Sequence, residues 1–109
     1  HYSASYRAGD LLFVSGQVGI ADGSLVEGVQ NQTLQALNNV QAVLGQSDLT
    51  LEHVVKCTVF MTDIDNFAVV NATYAEVFGD HRPSRSAVAV KALPLGALVE
   101  IEAIAHTSS

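Results

Sequence analysis

The sequence predicts an α+β domain in which two helices pack on one side of a mainly antiparallel sheet. Two stretches, residues 29–46 and 67–78, carry apolar side chains at helical spacing. Short β-prone runs precede, separate and follow them, in the order hairpin, helix, strand, helix and two further strands. This order is typical of an α+β fold. A chain of 109 residues suits one domain, which we assign to residues 1–109.

A hairpin is predicted near the start of the chain. Residues 11–16 form a short apolar run that ends in a glycine, and residues 3–7 form the expected partner strand. Residues 8–10, Ala-Gly-Asp, supply the turn between them. Residues 21–24, Ala-Asp-Gly-Ser, are a second turn signal, so we expect a loop after the hairpin.

Both predicted helices have an apolar face. The first covers residues 29–46, and its polar face is rich in amides, which suits packing against a sheet and neighbouring chains. Its apolar positions are Val29, Ala36, Leu37, Val40, Val43 and Leu44. Asp65 is the predicted N-cap of the second helix, which should end at Gly79. The apolar stripe of that helix comprises Phe67, Val70, Tyr74, Val77 and Phe78.

Three more strands are predicted, at residues 54–61, 85–92 and 98–106, with a loop at 93–96. Alternation along the first assigns one face to the core and the other to the outside. The expected core side chains of the first strand are Val55, Cys57, Val59 and Met61, and the outer ones are Val54, Lys56, Thr58 and Phe60. In the last strand Val99, Ile101, Ala103 and Ala105 share the core face, which leaves Glu100 and Glu102 together on the outer face.

The outer face of this sheet predicts contact with other subunits. Lys56, Thr58 and Glu100 stand there beside Phe60 and Leu98, a mixture too apolar for water and too charged for a dry core. Hydrophobic residues make up 49% of the chain and charged residues 15%, more apolar surface than one small core can hide. We therefore expect an oligomer with polar sites embedded in its interface.

Charge and composition argue against several partners. The net charge is −6, and five cations cannot neutralise a stripe of phosphates, so nucleic acid is not expected as the main partner. No apolar run approaches the ~20 residues that span a bilayer, so no membrane is expected. Cys57 is the single cysteine, which excludes an intrachain disulfide and is compatible with a reducing cytoplasm. The four histidines lack metal-ligand spacing, and no metal is expected.

Arg85 is the sharpest candidate for a binding residue. It begins a predicted strand after Arg82-Pro83-Ser84, a proline-stiffened loop that can aim a guanidinium across a cleft. The planar fork of a guanidinium matches a carboxylate through two hydrogen bonds. The alternative is a structural ion pair with Glu100 or Glu102 in a buried interface.

Other polar residues offer weaker signals. A carboxylate within an apolar strand must be paired, hydrogen-bonded or protonated, so Glu100 or Glu102 either orients a water as a general base or pairs with a lysine. Ser15 and Gly16 could bind a substrate oxygen through a hydroxyl and a backbone N–H, or simply cap a turn. Asn71 either hydrogen-bonds a loop or ligand or is solvated. Cys57 lies on the core face, which favours a buried apolar residue over the alternative of a nucleophile.

Five segments together resemble the RidA (YjgF-type) family over practically the whole chain. They are residues 7–17, 54–60, 70–74, 82–88 and 93–105. The resemblance implies a chorismate-mutase-like α+β domain whose sheets form a barrel at the centre of a homotrimer, with clefts between adjacent subunits. It also implies hydrolysis of 2-imino acids or their 2-enamino tautomers, such as 2-iminobutanoate and 2-iminopropanoate, to 2-oxo acids and ammonium without a cofactor.

The same resemblance suggests roles for individual residues. Arg85 matches the arginine that binds the substrate carboxylate, and Glu100 matches the carboxylate that holds the hydrolytic water. Tyr2, Ser15, Gly16 and Asn71 match pocket positions, and the backbone carbonyl of Ala87 would share the water. Two departures are Ala87 itself, where many members have a cysteine, and residues 1–5, which differ from the usual Gly-Pro-Tyr-Ser-Gln-Ala pattern.

Two other classes of function remain open at this point. A non-catalytic trimer could use the arginine cleft to bind small carboxylate metabolites, although a receptor for anions does not need Glu100 beside its cation. Ribonuclease or chaperone-like activity is also associated with the family. The net charge of −6 argues against RNA, and a chaperone would need an exposed apolar patch.

Overall fold

The computed structural model describes residues 1–108, in which two helices cover one face of a five-stranded sheet. The elements in chain order are β1 (Ser5–Ala8), β2 (Leu11–Val18), β3 (Ile20–Ala21), β4 (Ser24–Leu25), α1 (Val29–Gly45), β5 (Val54–Met61), α2 (Phe67–Phe78), β6 (Ser84–Ala89) and β7 (Val99–His106). Strand order is β1-β2-β7-β5-β6, and β3 with β4 forms a separate two-stranded ribbon. The predicted fold class is confirmed, with strand ends displaced by no more than three residues.

Most strand pairs are antiparallel. β7 lies at the centre, antiparallel to β2 on one side and to β5 on the other. β5 and β6 are parallel, because α2 crosses over between them and returns the chain to the same end of the sheet. β6 is consequently an edge strand, with backbone groups along its outer side that the sheet does not pair.

The loop expected at residues 21–24 is instead the tip of the β3–β4 hairpin. Asp22 and Gly23 both have positive φ, 53° and 85°, as the two central residues of a tight hairpin turn require. The Asn39 side chain of α1 supports this ribbon, because its amide nitrogen donates to the carbonyls of Val18 and Ile20 at 3.0 Å each. The Asp-Gly signal was present in the sequence, but the flanking strands are too short to show alternation.

The core lies between the helices and the sheet. The α1 stripe is buried as predicted, apart from Val29, which is half-buried, and the predicted core face of β7 is buried throughout. Gln32 of α1 is also buried, and its side chain accepts from the backbone N–H of Leu98 at 2.9 Å and donates to the carbonyl of Val26 at 3.0 Å. These two bonds explain how an amide is accommodated inside the core.

The predicted alternation of β5 is wrong at its first two residues. Val54 is 1% exposed and Val55 is 45% exposed, the reverse of the expectation. The pairing of β5 with β7 is irregular between Val54 and Lys56. Because of this irregularity, Val54 lies on the core face and Val55 on the outer face. From Cys57 to Met61 the alternation holds.

The predicted N-cap of α2, Asp65, is also wrong. Asn66 occupies the N-cap position of α2, and its side chain makes no capping hydrogen bond. Asp63 accepts the backbone N–H of Asp65 at 2.9 Å and caps a 3-10 turn, Ile64–Asn66, that runs directly into α2. A capping carboxylate must precede the first turn, and the extra turn moves that position upstream. Gly79 follows the helix with φ 63°, as predicted. Phe67, at the start of the predicted stripe, is 39% exposed.

The sheet face opposite the helices is called the open face below. Its side chains are half-buried or exposed within one chain, and they include charged and apolar types, as predicted. The open face carries Phe13, Lys56, Thr58, Phe60, Glu100, Glu102 and Ile104. Among residues 1–108, the two helices lack the length and apolar character needed to cross a membrane.

Candidate functional site

Helix α2 holds the Arg85 side chain. Arg85 lies in β6 opposite Cys57 of β5, and therefore on the helix-covered face of the sheet. Its Nη1 donates to Asn71 Oδ1 at 2.7 Å, and its Cζ lies 4.8 Å from the ring centroid of Tyr74 and 5.8 Å from that of Phe67. These three residues share one face of α2, because they are spaced four and three residues apart.

This arrangement orients the guanidinium without neutralising it. An amide oxygen and two aromatic faces attract a cation but carry no net charge. Among residues 1–108, no carboxylate forms an ion pair with Arg85. The structural alternative, a pair with Glu100 or Glu102, is therefore not formed within the chain. Arg85 retains donors and a full positive charge for an anion.

Arg85 borders a cleft of about 340 Å³ between α2 and the segment that leads into β6. The cleft is lined by Asn71, Tyr74, Ala75, Phe78, His81, Arg82, Pro83 and Arg85. His81 fixes the segment in place, because its Nε2 lies 2.7 Å from the Val54 carbonyl and must donate to it. The volume suits a small metabolite.

Beneath Arg85, the helix packs Tyr74 against Cys57 of β5. Burial raises the pKa of Cys57 and that of Tyr74, and the Arg85 charge acts in the opposite direction on both. Burial and the neighbouring thiol outweigh the arginine, so both groups are neutral at neutral pH. The Tyr74 hydroxyl makes no well-formed hydrogen bond within residues 1–108. Cys57 is fully buried and is the small apolar residue predicted.

A second group of predicted site residues lies on the open face. β2 contains a bulge in which Ser15 and Gly16 together oppose Glu102 of β7, because Val14 pairs with Ala103 and Gln17 with Ile101. The bulge brings Gly16 against the Glu100 side chain. A Cβ atom at position 16 would stand only 2.8 Å from the Glu100 carboxyl carbon. A side chain at position 16 would therefore displace the Glu100 carboxylate from its place over the strand.

The environment of Glu100 favours its protonated form. Burial raises the pKa of Glu100, and the nearby Glu102 carboxylate raises it further. No described cation pairs with either carboxylate within residues 1–108. The predicted lysine pair is therefore not formed in the chain. A raised pKa makes the Glu100 carboxylate a stronger base than an ordinary glutamate, which suits a general base.

The N-terminal segment borders this second group. The Ser15 hydroxyl donates to the Ser3 carbonyl at 2.6 Å, and the Ser15 N–H donates to the Ala4 carbonyl at 2.9 Å. These bonds align residues 3–4, which precede the first residue of β1, with the bulge. Tyr2 precedes them and is 81% exposed. The Ser15 oxygen can still accept a hydrogen bond from a ligand.

Within one chain, the predicted site residues form two separate groups. Arg85 and Asn71 lie on the helix-covered face, and Ala87 shares that face of β6 with Arg85. Ser15, Gly16 and Glu100 lie together on the open face, where Glu100 pairs with Phe60 of β5. The sheet separates the two groups, so a single chain cannot bring Arg85 and Glu100 to one ligand.

Several residues of the Arg85 cleft have no sequence signal for a site. Tyr74 and Phe67 were assigned to the apolar stripe of α2, and their contact with a cation depends on the β5-α2-β6 crossover. His81 has no ligand spacing with the other histidines, and nothing in its sequence context predicts a role in a cleft. Within residues 1–108, no cluster of three or more potential metal ligands occurs.

Sequence comparison extends these observations. The family model described as endoribonuclease L-PSP matches residues 1–107. A RutC family protein of Pyrococcus horikoshii is 44% identical over 108 residues, covering 96% of this chain and 86% of that protein. A mitochondrial protein of Schizosaccharomyces pombe, mmf1, is 44% identical over 108 residues, covering 95% of this chain and 67% of that protein.

Solved structures have the same fold. A protein of Thermotoga maritima that bears the endoribonuclease name has 45% identity and a TM-score of 0.94, with coverage of 100% of this chain and 88% of that chain. E. coli TdcF, crystallised with bound serine, has 36% identity and a TM-score of 0.94, with coverage of 99% and 89%.

The fold defines a class of small α+β proteins in which two helices cover one face of a mainly antiparallel sheet. In this chain, an arginine cleft and an acidic strand lie on opposite faces of that sheet. The chain belongs to the endoribonuclease L-PSP family, also known as the YjgF/RidA/RutC family. The names within the family are diverse, and some members are described as mitochondrial. Membership alone therefore assigns neither the reaction nor the cellular compartment.

Proposed function

We propose that this protein is a hydrolase that deaminates 2-imino acids, and their 2-enamino tautomers, to 2-oxo acids and ammonium. The observation that carries the proposal is Arg85, a guanidinium oriented by Asn71 and Tyr74 and left unneutralised at the edge of a cleft. A 2-imino acid presents a carboxylate next to its reactive carbon. Binding that carboxylate to Arg85 would fix the position of the C=N bond.

Glu100 would supply the reactive water. As the water oxygen adds to the imine carbon, the Glu100 carboxylate accepts one proton of the water and returns it to the imine nitrogen, which gives the carbinolamine. The carboxylate then accepts the carbinolamine hydroxyl proton and passes it to the nitrogen, so the carbonyl of the 2-oxo acid forms as the C–N bond breaks and ammonia leaves. Ammonia takes up a proton from the solvent and becomes ammonium. The raised pKa of Glu100 strengthens its carboxylate as the base in these steps. The Ala87 carbonyl would share the water, while Tyr2, Ser15 and Gly16 would line the same pocket.

The proposal requires at least two chains, because Arg85 and Glu100 lie on opposite faces of the sheet. A homotrimer with clefts between adjacent subunits would bring the Arg85 face of one chain to the Glu100 face of the next. Such an assembly would also cover the half-buried apolar side chains of the open face, including Phe60 and Ile104. A symmetric ring of three is a common way to close a head-to-tail interface.

The bound serine in TdcF supports the ligand class. Serine carries a carboxylate adjacent to a carbon–nitrogen bond, the same pair of groups that a 2-imino acid presents. The endoribonuclease name has less support in this chain, because eleven acidic residues against five cations would repel a polyanion. The single unpaired cysteine suits the reducing cytoplasm, which is our proposed location.

The direct test generates 2-iminobutanoate in situ with a threonine dehydratase and traps the surviving imine with semicarbazide. Wild-type protein should lower the yield of semicarbazone by hydrolysing the imine first, and Arg85→Ala should abolish this effect. Lys91→Ala removes an exposed cation outside the cleft and serves as the matched control. If folded, trimeric wild-type protein does not accelerate hydrolysis, the proposal is wrong. The better interpretation is then a non-catalytic module that binds small carboxylate metabolites.

A further inference from the structure

The cleft beside Arg85 contains a second cation that the proposed reaction does not use. The chain has only five lysines and arginines and a net charge of −6. Two of those five, Arg82 and Arg85, line the same 340 Å³ cleft, and none of its eight lining residues is acidic. In an acidic protein, such a local concentration of positive charge favours a ligand with more than one negative charge.

The root of the Arg82 side chain is held in place. The neighbouring His81 is tied to the Val54 carbonyl through its ring and to the Phe78 carbonyl through its backbone N–H, at 2.7 Å and 3.3 Å. Pro83 restricts the backbone on the other side. The two ring nitrogens of His81 face Val54 and Glu52, so the imidazole supports the segment and does not face a ligand. Arg82 is therefore the residue that would bind a second anionic group of a ligand.

The Arg82 guanidinium has free donors. Nη1 donates to the His81 carbonyl at 3.2 Å, which occupies one of five N–H groups. Within residues 1–108 its charge is not neutralised by a carboxylate. Two residues, Pro83 and Ser84, separate Arg82 from Arg85. The Cα atoms of the two arginines are therefore at most about 10 Å apart. Two side chains rooted at this separation can reach the two ends of a short dicarboxylate.

We propose that the cleft selects 2-imino acids with a second carboxylate on a chain of four or five carbons, and that Arg82 binds this second carboxylate. The inference rests on the proposed function, in which Arg85 binds the carboxylate next to the imine. Arg82 acts in specificity, because it contacts the distal end of the substrate and not the reacting carbon. Substrates of this class arise when the amino group of an acidic amino acid is oxidised to an imine.

Binding of the stable 2-oxo acid products isolates this role from catalysis. We would measure dissociation constants for 2-oxoglutarate and 2-oxopentanoate by isothermal titration calorimetry at low salt. The two acids have five carbons each and differ in one carboxylate. Wild-type protein should bind 2-oxoglutarate about 10-fold more tightly, as one additional charge-assisted hydrogen-bonded contact allows. Added salt should reduce this ratio.

The matched variants are Arg82→Gln and Arg7→Gln, since each removes one positive charge. Arg7 lies in β1 and bonds to Gly9 and Thr107, outside the cleft. Arg82→Gln should bring the ratio close to one, whereas Arg7→Gln should leave it unchanged. A wild-type ratio of one or less, equal effects of the two variants, or no binding of either acid would overturn the inference.

The proposed function and this inference can fail separately. If wild-type protein deaminates 2-iminobutanoate but binds the two oxo acids equally, only the role of Arg82 is wrong. If the binding ratio holds but imines are not hydrolysed, the dicarboxylate site stands and the deaminase does not. Circular dichroism of each variant verifies that the fold is retained.

Discussion

The two faces of the central sheet differ in how far one chain completes them. On the helix-covered face, side chains such as Met61 and Ile101 are fully buried by α1 and α2. On the open face, Phe60 and Glu100, their neighbours along the same strands, remain half-buried. One face is therefore a finished core, and the other carries the mixed chemistry of a surface that another chain would cover.

The two halves of the candidate site lie on different faces of the sheet. Arg85 lies at the margin of the finished face, where Asn71 and Tyr74 of the same chain already orient it. Glu100 lies on the open face, where Gly16 leaves room for its carboxylate. The fold of one chain already organises the proposed binding half, whereas a meeting with the proposed catalytic half would require assembly of a second chain.

The largest effect is expected when two inactive variants are mixed and their imine hydrolysis is measured. Arg85→Ala and Glu100→Gln should each lower imine hydrolysis by about 100-fold or more, because each removes a group that acts on the reacting substrate. When the two inactive variants are refolded together, about a quarter of the clefts should combine an intact Arg85 with an intact Glu100 from the next chain. Activity should return to about a quarter of the wild-type level.

The control for mixing is each variant refolded alone. If mixed trimers form and remain as inactive as the single variants, Arg85 and Glu100 do not serve one cleft from different chains. Native mass spectrometry, with one variant mass-tagged, verifies that mixed trimers are present in the sample.

Met61 and Phe60 are adjacent residues on opposite faces and test the difference in burial. Met61→Ala should lower the free energy of unfolding by about 2–5 kcal/mol, because it opens a cavity in a dry core. Phe60→Ala should instead raise the dissociation constant of the oligomer. Denaturant unfolding and sedimentation equilibrium distinguish the two effects. Equal loss of unfolding free energy, with unchanged association, would contradict the distinction between the faces.

Alanine substitutions at Gly16 and at Gly45 test whether the contact between the bulge and Glu100 matters for turnover. Gly16→Ala places a methyl group against the Glu100 carboxylate and should reduce kcat about 10-fold with the fold retained. At Gly45, a Cβ atom meets nothing within 4 Å, and φ is not positive, so Gly45→Ala should leave kcat unchanged. If both substitutions act alike on kcat, the position of Glu100 does not matter for turnover.

The smallest effect concerns the pH profile. Burial raises the pKa of Glu100, and Glu102 raises it further, so Glu102→Gln should lower that pKa. Because the ionised Glu100 is the proposed proton acceptor, the acid limb of kcat/KM should move to lower pH. Glu76→Gln, an exposed acid on α2, is the control for the loss of one negative charge.

The raised pKa of Glu100 also affects how the stability of the fold depends on pH. A carboxyl group whose pKa is raised by folding stabilises the native state below its unfolded pKa, and this contribution is lost as the pH rises through the folded pKa. Glu102→Gln should therefore flatten the pH dependence of unfolding above the ordinary range of glutamate. A limb that moves to higher pH in Glu102→Gln would contradict the coupling between the two carboxylates.

Much of the fold could be predicted because periodicity reports burial directly. The apolar stripe of α1 and the alternation of β7 needed only the spacing of their residues. The errors are local. The capping role of Asp63 in place of Asp65 depends on an added 3-10 turn before α2. The exchange of faces between Val54 and Val55 depends on a pairing irregularity. Such details follow from how elements join, which periodicity does not report.

The residue types of this protein determined its elements, its two-faced sheet and the short list of groups able to bind an anion or activate water. Folding in three dimensions decided which of these groups meet. The contact of Arg85 with Asn71 and Tyr74, its common cleft with Arg82, and its separation from Glu100 follow from the parallel crossover and the strand register. These are relations between residues distant in the chain, and local spacing carries no information about them.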